Sequence, residues 1–287
     1  MGAFRSTVIP GLTRDLGATT DQAVAAGLQS VGSLRGMGSV TQVWAHRGAS
    51  DHAPENTLPA FELALEQGAD GVEFDVQLSK DGAVVLVHDD TLDRTTDGHG
   101  RVVDHTLAEL RKLDARNGMN HHQPVTIPTL DEVLALLAPE RARINIELKN
   151  DEEPYPGLED EVLAAVQRHK VGNRVVISSF SENSLRRLHT LDPAIELATL
   201  YTRPQVRPWR EALAIGARAI HPPTACVFGR PWVYRAHLLG LAIRPWVPNR
   251  ESTLARLMRC RVDAVITDLP SLACEVRARI RTGRWLG

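Results

Sequence analysis

From about residue 42 onward the chain alternates between two hydrophobic periods. Short apolar runs, most of them rich in β-branched residues, fall at 43–46, 71–75, 143–149, 174–179, 195–201, 218–221, 242–247 and 264–268. Such runs are what strands buried on both faces of a parallel sheet require. Between them lie stretches with apolar residues at helical spacing. In 56–67, Leu58, Phe61, Ala64 and Leu65 mark one face, and 158–169 and 251–260 read the same way. Helix is also expected at 129–137. Ser181 and Ser252 fit helix N-caps, because a short hydroxyl side chain can accept from an unpaired N–H of the first turn. Eight strands joined by helices predict an α/β fold, a closed (βα)8 TIM barrel. An open doubly wound sheet is the alternative, but no GxGxxG follows the first strand, which counts against its dinucleotide-binding form.

One run breaks the count. Residues 83–88 follow 71–78 after the short stretch Ser79-Lys80-Asp81-Gly82. That gap is too short for a parallel crossover, so the two runs must form an antiparallel hairpin. Beyond it the pattern is irregular from Asp89 to Pro128. This predicts a small insertion after the second strand, about residues 77–128, sitting over the barrel mouth. Residues 1–40 are rich in Gly, Ala, Ser and Thr and carry no strand pattern. They are expected to be a flexible tail with at most a brief helix at 21–28, leaving 41–287 as the barrel domain. Met37 offers a later translation start.

Composition narrows the class. A chain of 287 residues that is 43% hydrophobic suits one barrel domain. The net charge is −2 and no long basic stripe appears, so nucleic acid is not the expected partner. Three cysteines without CxxC spacing fit neither a disulfide framework nor a zinc–thiolate site, and they suit a reducing compartment. No apolar run approaches the roughly 20 residues of a membrane span. Arg5 and Arg14 are not followed by a compact apolar stretch, which argues against a cleaved export signal. A cytoplasmic protein without a transmembrane segment is expected.

Candidate chemistry gathers at the C-terminal ends of the predicted strands, which form the active-site face of a barrel. Glu73 and Asp75 are two residues apart and share one face of a strand, and Glu147 ends the next barrel strand. Buried carboxylates need a cation. With no cysteine nearby, three of them suit one hard divalent ion, Mg²⁺ or Ca²⁺. A salt-bridge cluster with Arg47 and Lys149 fits the spacing equally well. His46 ends the first strand and His88 ends the hairpin return. Such a pair can serve as general acid and base for P–O cleavage near neutral pH. Arg47 could hold a phosphate oxygen, or only cap its loop, and Lys149 could add a second positive charge. Setting His88 beside the carboxylates favours a hairpin with Lys80-Asp81 as a two-residue loop, which pairs Ser79 with Gly82 and Glu73 with His88. A bulge at Gly82 would instead pair Phe74 with His88. No serine, threonine or cysteine stands out as a nucleophile held by a base. The attacking oxygen is therefore expected from water or from the substrate. His52, His99, His121 and His122 read as loop residues, His221 as a possible pocket residue, and Trp209 and Trp232 as helix packing.

The runs HRG (46–48), PENT (54–57), GVEFDVQLSKDGAVVLVHD (71–89), TLDRTTDG (91–98) and IELK (146–149), with Ser179-Phe180, Pro245-Trp246-Val247-Pro248-Asn249 and Ile266-Thr267-Asp268, resemble the glycerophosphodiester phosphodiesterases. The resemblance covers about residues 42–277. It implies metal-dependent hydrolysis of a small glycerophosphodiester to glycerol 3-phosphate and an alcohol. It further implies Glu73, Asp75 and Glu147 as metal ligands, His46 and His88 as the acid–base pair, and Arg47 as a phosphate contact. It places Lys149, Trp246 and Asn249 at the substrate. Pro248 and Val247 depart from the WTVN-like pattern of the family, which bears on substrate detail. Lysophospholipase-D-like and sphingomyelinase-D-like enzymes share the barrel and similar residues; a largely polar insertion favours the water-soluble diester. A non-catalytic phospho-ligand-binding barrel would lack one of these histidines or carboxylates.

Overall fold

A computed structural model of the chain describes residues 40–283 apart from 117, 120–123, 152–154 and 206. The expected tail, with its helix at 21–28 and Met37, lies outside the described residues but for Val40, as do His121 and His122. The strands are β1 (Gln42–His46), β2 (Gly71–Leu78), β3 (Val84–Val85), β4 (Arg143–Leu148), β5 (Val175–Ser179), β6 (Glu196–Leu200), β7 (Ala219–His221), β8 (Ala242–Ile243) and β9 (Ala264–Thr267). The helices include α1 (Leu58–Glu66), α2 (Leu107–Leu110), α3 (Leu130–Leu137), α4 (Leu158–Arg168), α5 (Glu182–Leu191), α6 (Pro208–Ile215), α7 (Arg230–Leu238), α8 (Glu251–Arg259) and α9 (Pro270–Arg281).

All strands but β3 run parallel in the order β8-β7-β6-β5-β4-β2-β1-β9, and β3 pairs antiparallel with β2 off this path. The barrel is nearly closed. Between β8 and β9 the seam is carried by a bridge from Trp246 to Ile266, with Asp263 N donating to Ile243 O and Ile266 N to Pro245 O. β8 is shorter than the expected 242–247 because Pro245 has no N–H to give to a ladder. The strand period sorts the side chains. On β2, Val72, Phe74 and Val76 join the outer core under the helices, while Glu73, Asp75 and Gln77 take the other face. On β4, Ile144, Ile146 and Leu148 face outward, and Asn145 and Glu147 alternate with them. Trp44, Val176, Ala198, Ala219, Ala264 and Ile266 form a separate apolar cluster inside the barrel. The polar side chains of the same faces thus sit on an apolar floor, at the strands' C-terminal ends.

Caps set several of the helices. Thr129 and Glu132 make a reciprocal capping box at the start of α3, and Ser181 accepts from Ser184 N at the start of α5. Ser252 is not a cap: the N-cap of α8 is Arg250, and Ser252 lies in the first turn. The insertion has a small core of its own in Val85, Val87, Leu92, Val102, Leu110, Ala115 and Ile127.

The hairpin register differs from the expected one. Gln77 pairs with Val85 and Leu78 with Val84, so Ser79 stands opposite Ala83 across a three-residue loop, Lys80-Asp81-Gly82. A favoured two-residue loop would need positive φ at Lys80, and in its type I′ form at Asp81 as well. The loop instead places its left-handed residue at Gly82, with φ +82. Continued, this register would set Phe74, not Glu73, opposite His88. The ladder stops first: Gln77 Nε2 donates to Val87 O and Asp89 O, at 3.0 and 2.7 Å. That amide steers residues 87–89 toward the barrel mouth.

Candidate active site

The turn after β1 sets the first part of the site. Arg47 and Gly48 both take positive φ, 55° and 83°, turning the chain sharply at the strand end. A Cβ on Gly48 would come within 2.6 Å of Ala60, so the turn can lie against α1 only with glycine there. Arg47 N then donates to Glu73 Oε2 at 3.0 Å. Asn56, also at positive φ, donates to Asp75 Oδ2 at 2.9 Å.

Glu73, Asp75 and Glu147 converge, each offering an oxygen within 4.8 Å of the others. Burial, then the charges of Asp75 and Glu147, push the Glu73 carboxyl well above its usual range. Burial likewise raises Glu147, opposed by Lys149. Asp75 is also buried, but Lys149, Arg47 and His88 outweigh that burial and hold it below the usual carboxylate range. Lys149 Nζ lies 2.5 Å from Glu147 Oε1 and 3.3 Å from Asp75 Oδ1. Arg47 Nε is 3.2 Å from Asp75 Oδ2, an ion pair without hydrogen-bond alignment. The cluster is therefore partly neutralised by its own cations, yet Glu73 Oε1 is buried with no hydrogen-bond partner. An all-oxygen donor set with a buried, unpartnered carboxylate oxygen fits a hard divalent cation.

Both histidines are held from behind by an aspartate. His46 Nδ1 is 2.6 Å from Asp268 Oδ1, while its Nε2 lies 4.0 Å from Glu73 Oε2. His88 Nδ1 is 2.6 Å from Asp89 Oδ1. A carboxylate on Nδ1 fixes the tautomer and leaves Nε2 free to exchange a proton. Burial disfavours the Asp268 charge, but the hydrogen bond from His46 outweighs it and holds the group down to about 2. Asp89 is held down to about 2, first by Arg94. Arg94 forks onto both Asp89 and Glu55, and Arg47 Nη1 donates to the same Glu55 at 2.8 Å. A charged chain thus runs from His88 through Asp89, Arg94, Glu55 and Arg47 to Asp75, tying the insertion to the first loop.

One cavity of about 520 Å³ opens among these groups. His46, Arg47, Glu73, His88, Glu147 and Lys149 line its polar side, and Phe180, Leu200, Trp246 and Val247 its apolar side. Asp75 lies beneath them, 1% exposed. Trp246 meets Phe180 edge-on at 6.5 Å and donates from Nε1 to His221 O. Asn249 is not on the cavity wall. Its Nδ2 donates to Asp268 Oδ2 at 2.5 Å, which places it behind His46 and Asp268. His221 does line the cavity, fully buried; burial and then Arg244 push its pKa well below the usual histidine value. His52 and His99 stay at the surface beside Asp51 and Asp93.

Asp268, Asp89, Glu55, Arg94 and Asn56 carry functions of position that the sequence reading left unassigned. All stand in the motif runs quoted above. Asp268, however, is 222 residues from His46, so only the closing of β9 against β1 reveals the pair.

The family model of the glycerophosphoryl diester phosphodiesterases matches residues 46–272. A glycerophosphodiester phosphodiesterase of Caldanaerobacter subterraneus is 41% identical over 233 residues, covering 80% of this chain and 95% of the relative. One from Bacillus altitudinis is 39% identical, covering 84% of this chain and 100% of the relative. Among solved structures, an Oleispira antarctica phosphodiesterase in complex with its product sn-glycerol-3-phosphate is 34% identical, with a TM-score of 0.75 over 83% of this chain and 96% of that one. A glycerophosphodiester phosphodiesterase from Agrobacterium tumefaciens is 30% identical, with a TM-score of 0.73 over 82% of this chain and 99% of its own.

Proposed function

The chain belongs to the glycerophosphoryl diester phosphodiesterase family, and we propose that it hydrolyses small glycerophosphodiesters to glycerol 3-phosphate and an alcohol, using one divalent cation. The observation that carries this reading is the meeting of three buried carboxylates and two aspartate-backed histidines in a single cavity at the barrel mouth. Glu73, Asp75 and Glu147 would hold the cation, Mg²⁺ or Ca²⁺. Bound there, it would supply charge neutralisation at phosphate and a lowered pKa for an oxygen nucleophile.

The chain's own residues do the rest. Arg47 and Lys149 bring positive charge to the polar wall, where a phosphate carries its negative charge. One histidine Nε2 takes the proton of the attacking oxygen, and the other protonates the leaving alcohol. Asp268 and Asp89 stabilise the imidazolium form of each partner. Trp246 and Phe180 give the alcohol an apolar wall and exclude water from one side. Two locations remain part of this reading: a cytoplasmic setting, supported by three free cysteines, and an N-terminal tail that takes no part in catalysis. A chain beginning at Met37 should therefore turn over at the rate of the full chain; a large fall in rate or in Tm would assign residues 1–36 a role in the barrel domain.

The test of the function is release of glycerol 3-phosphate from a panel of glycerophosphodiesters, and of the free headgroup alcohol from a lysophospholipid, each with and without added Mg²⁺ or Ca²⁺. Cleavage of the lysophospholipid alone would overturn the substrate class.

We favour the substrate's own hydroxyl over water as the nucleophile. The substrate's own 2-hydroxyl is tethered next to the phosphorus, which saves the entropy of recruiting a free water. Its attack would close a cyclic phosphate as the alcohol leaves, and water would then open the ring. A substrate analogue lacking the 2-hydroxyl is expected to be cleaved at least about 100-fold more slowly under saturating cation. Equal rates would assign the attack to water.

A further inference from the structure

The rim of the barrel mouth is electrically uneven. Between residues 203 and 250 the sequence holds eight arginines and a single carboxylate, Glu211, in a chain whose net charge is −2. Arg244 is buried against Glu196. Arg203, Arg207, Arg210 and Arg230 are exposed, and none forms an ion pair with a carboxylate among the described residues. These four stand in the loop after β6, in the first turn of α6 and at the start of α7. Loops that follow barrel strands, and the helix starts they lead into, rise at the mouth. Thr202, next to Arg203, already lines the cavity. The other side of the cavity is acidic, with Asp89, Asp90 and Asp151.

The same rim exposes aromatic surface. Phe228, in the loop after β7, is 63% exposed, although it is among the chain's largest apolar side chains. Its ring lies 6.3 Å from that of Trp232, which lies 6.2 Å from Trp209. Arg235 stacks over Trp209 at 5.1 Å. Trp209 and Trp232 do pack helices, as the sequence suggested, but they also form a row that ends at the exposed Phe228. An aromatic held out among unpaired guanidinium groups has little to gain in water. At a bilayer interface the ring enters the acyl boundary while the arginines meet anionic headgroups.

We propose that the rim formed by the loops after β6 and β7 docks on an anionic lipid bilayer, with Phe228 as the inserted side chain. Docking would set the cavity mouth beside phosphodiester headgroups; that consequence rests on the function proposed above, but the docking does not. A nucleic acid would also attract the arginines, yet a duplex offers no apolar phase for Phe228.

The test is co-sedimentation of the full chain with vesicles of phosphatidylcholine alone and of phosphatidylcholine mixed with phosphatidylglycerol. Binding is expected only to the mixture and should weaken as salt is raised. Arg207→Gln and Arg230→Gln should each weaken it about fivefold, and Phe228→Ala about tenfold. All three variants should keep the parent's Tm and its turnover of a water-soluble glycerophosphodiester, since none lies in the site. No binding to the mixed vesicles, equal binding to neutral ones, or variants that bind like the parent would overturn the proposal. So would a single-stranded oligonucleotide that displaces the vesicles and loses affinity in the same variants. Vesicle binding in a protein that releases no glycerol 3-phosphate would leave the docking standing and sink the functional reading instead.

Discussion

Chelation of divalent cations is expected to bring turnover down to the uncatalysed level, and added Mg²⁺ or Ca²⁺ should restore it. Three buried carboxylates face two cationic side chains at the site, and the excess negative charge falls on Glu73, whose Oε1 has no partner. Glu73→Gln, Asp75→Asn and Glu147→Gln should each produce the same loss. A cluster that is only a salt bridge makes the opposite prediction: chelator would change nothing. Stability gives a second readout. A cation at about 100 times its Kd should raise Tm by roughly 5–10 °C for a domain of this size. The sign of the pH effect follows too. Glu73 and Glu147 titrate above their ordinary values when folded, by burial first. The folded cation-free protein therefore holds protons that the unfolded chain has released. Its stability from these groups is fullest below the ordinary glutamate value and falls as pH rises through the folded values. Bound cation should flatten that slope, because it takes the place of the protons.

The barrel was legible because each buried strand is a short apolar run with a helical period on either side. The active-site face followed from the ends of those runs, and Glu73 with Asp75 from the strand period. What stayed hidden depends on distance or on one backbone torsion. The hairpin register turned on Gly82, whose left-handed backbone makes the loop three residues long. Asn249 read as a mouth residue from its motif, but its partner is Asp268, and that pairing exists only once β8 and β9 lie side by side. The basic rim escaped notice for a related reason. Its arginines are three to twenty residues apart in sequence, so no run of charge marks them, and only the βα topology brings them to one edge. Local pattern fixes elements well; contacts across the barrel need the closed sheet.

His46→Ala and His88→Ala should each lower turnover about 10²- to 10⁴-fold, the usual worth of a positioned proton-transfer group. KM should change much less, because Arg47, Lys149 and the residues that would hold the cation all remain. The two single variants should resemble each other, since protonating the leaving alcohol and deprotonating the nucleophile belong to one displacement. The aspartates behind them separate proton transfer from mere packing. Asp268 accepts from His46, Ser50 and Asn249, so Asp268→Asn keeps the shape but removes the charge that stabilises the His46 imidazolium. Turnover should fall about 10- to 100-fold, the scale of a lost supporting carboxylate, with KM little changed. A structural role alone would lower Tm and leave turnover of the folded protein near the parent's. Near-normal turnover in His46→Ala or in His88→Ala would remove that histidine from proton transfer and leave the cation and the remaining histidine to carry both steps.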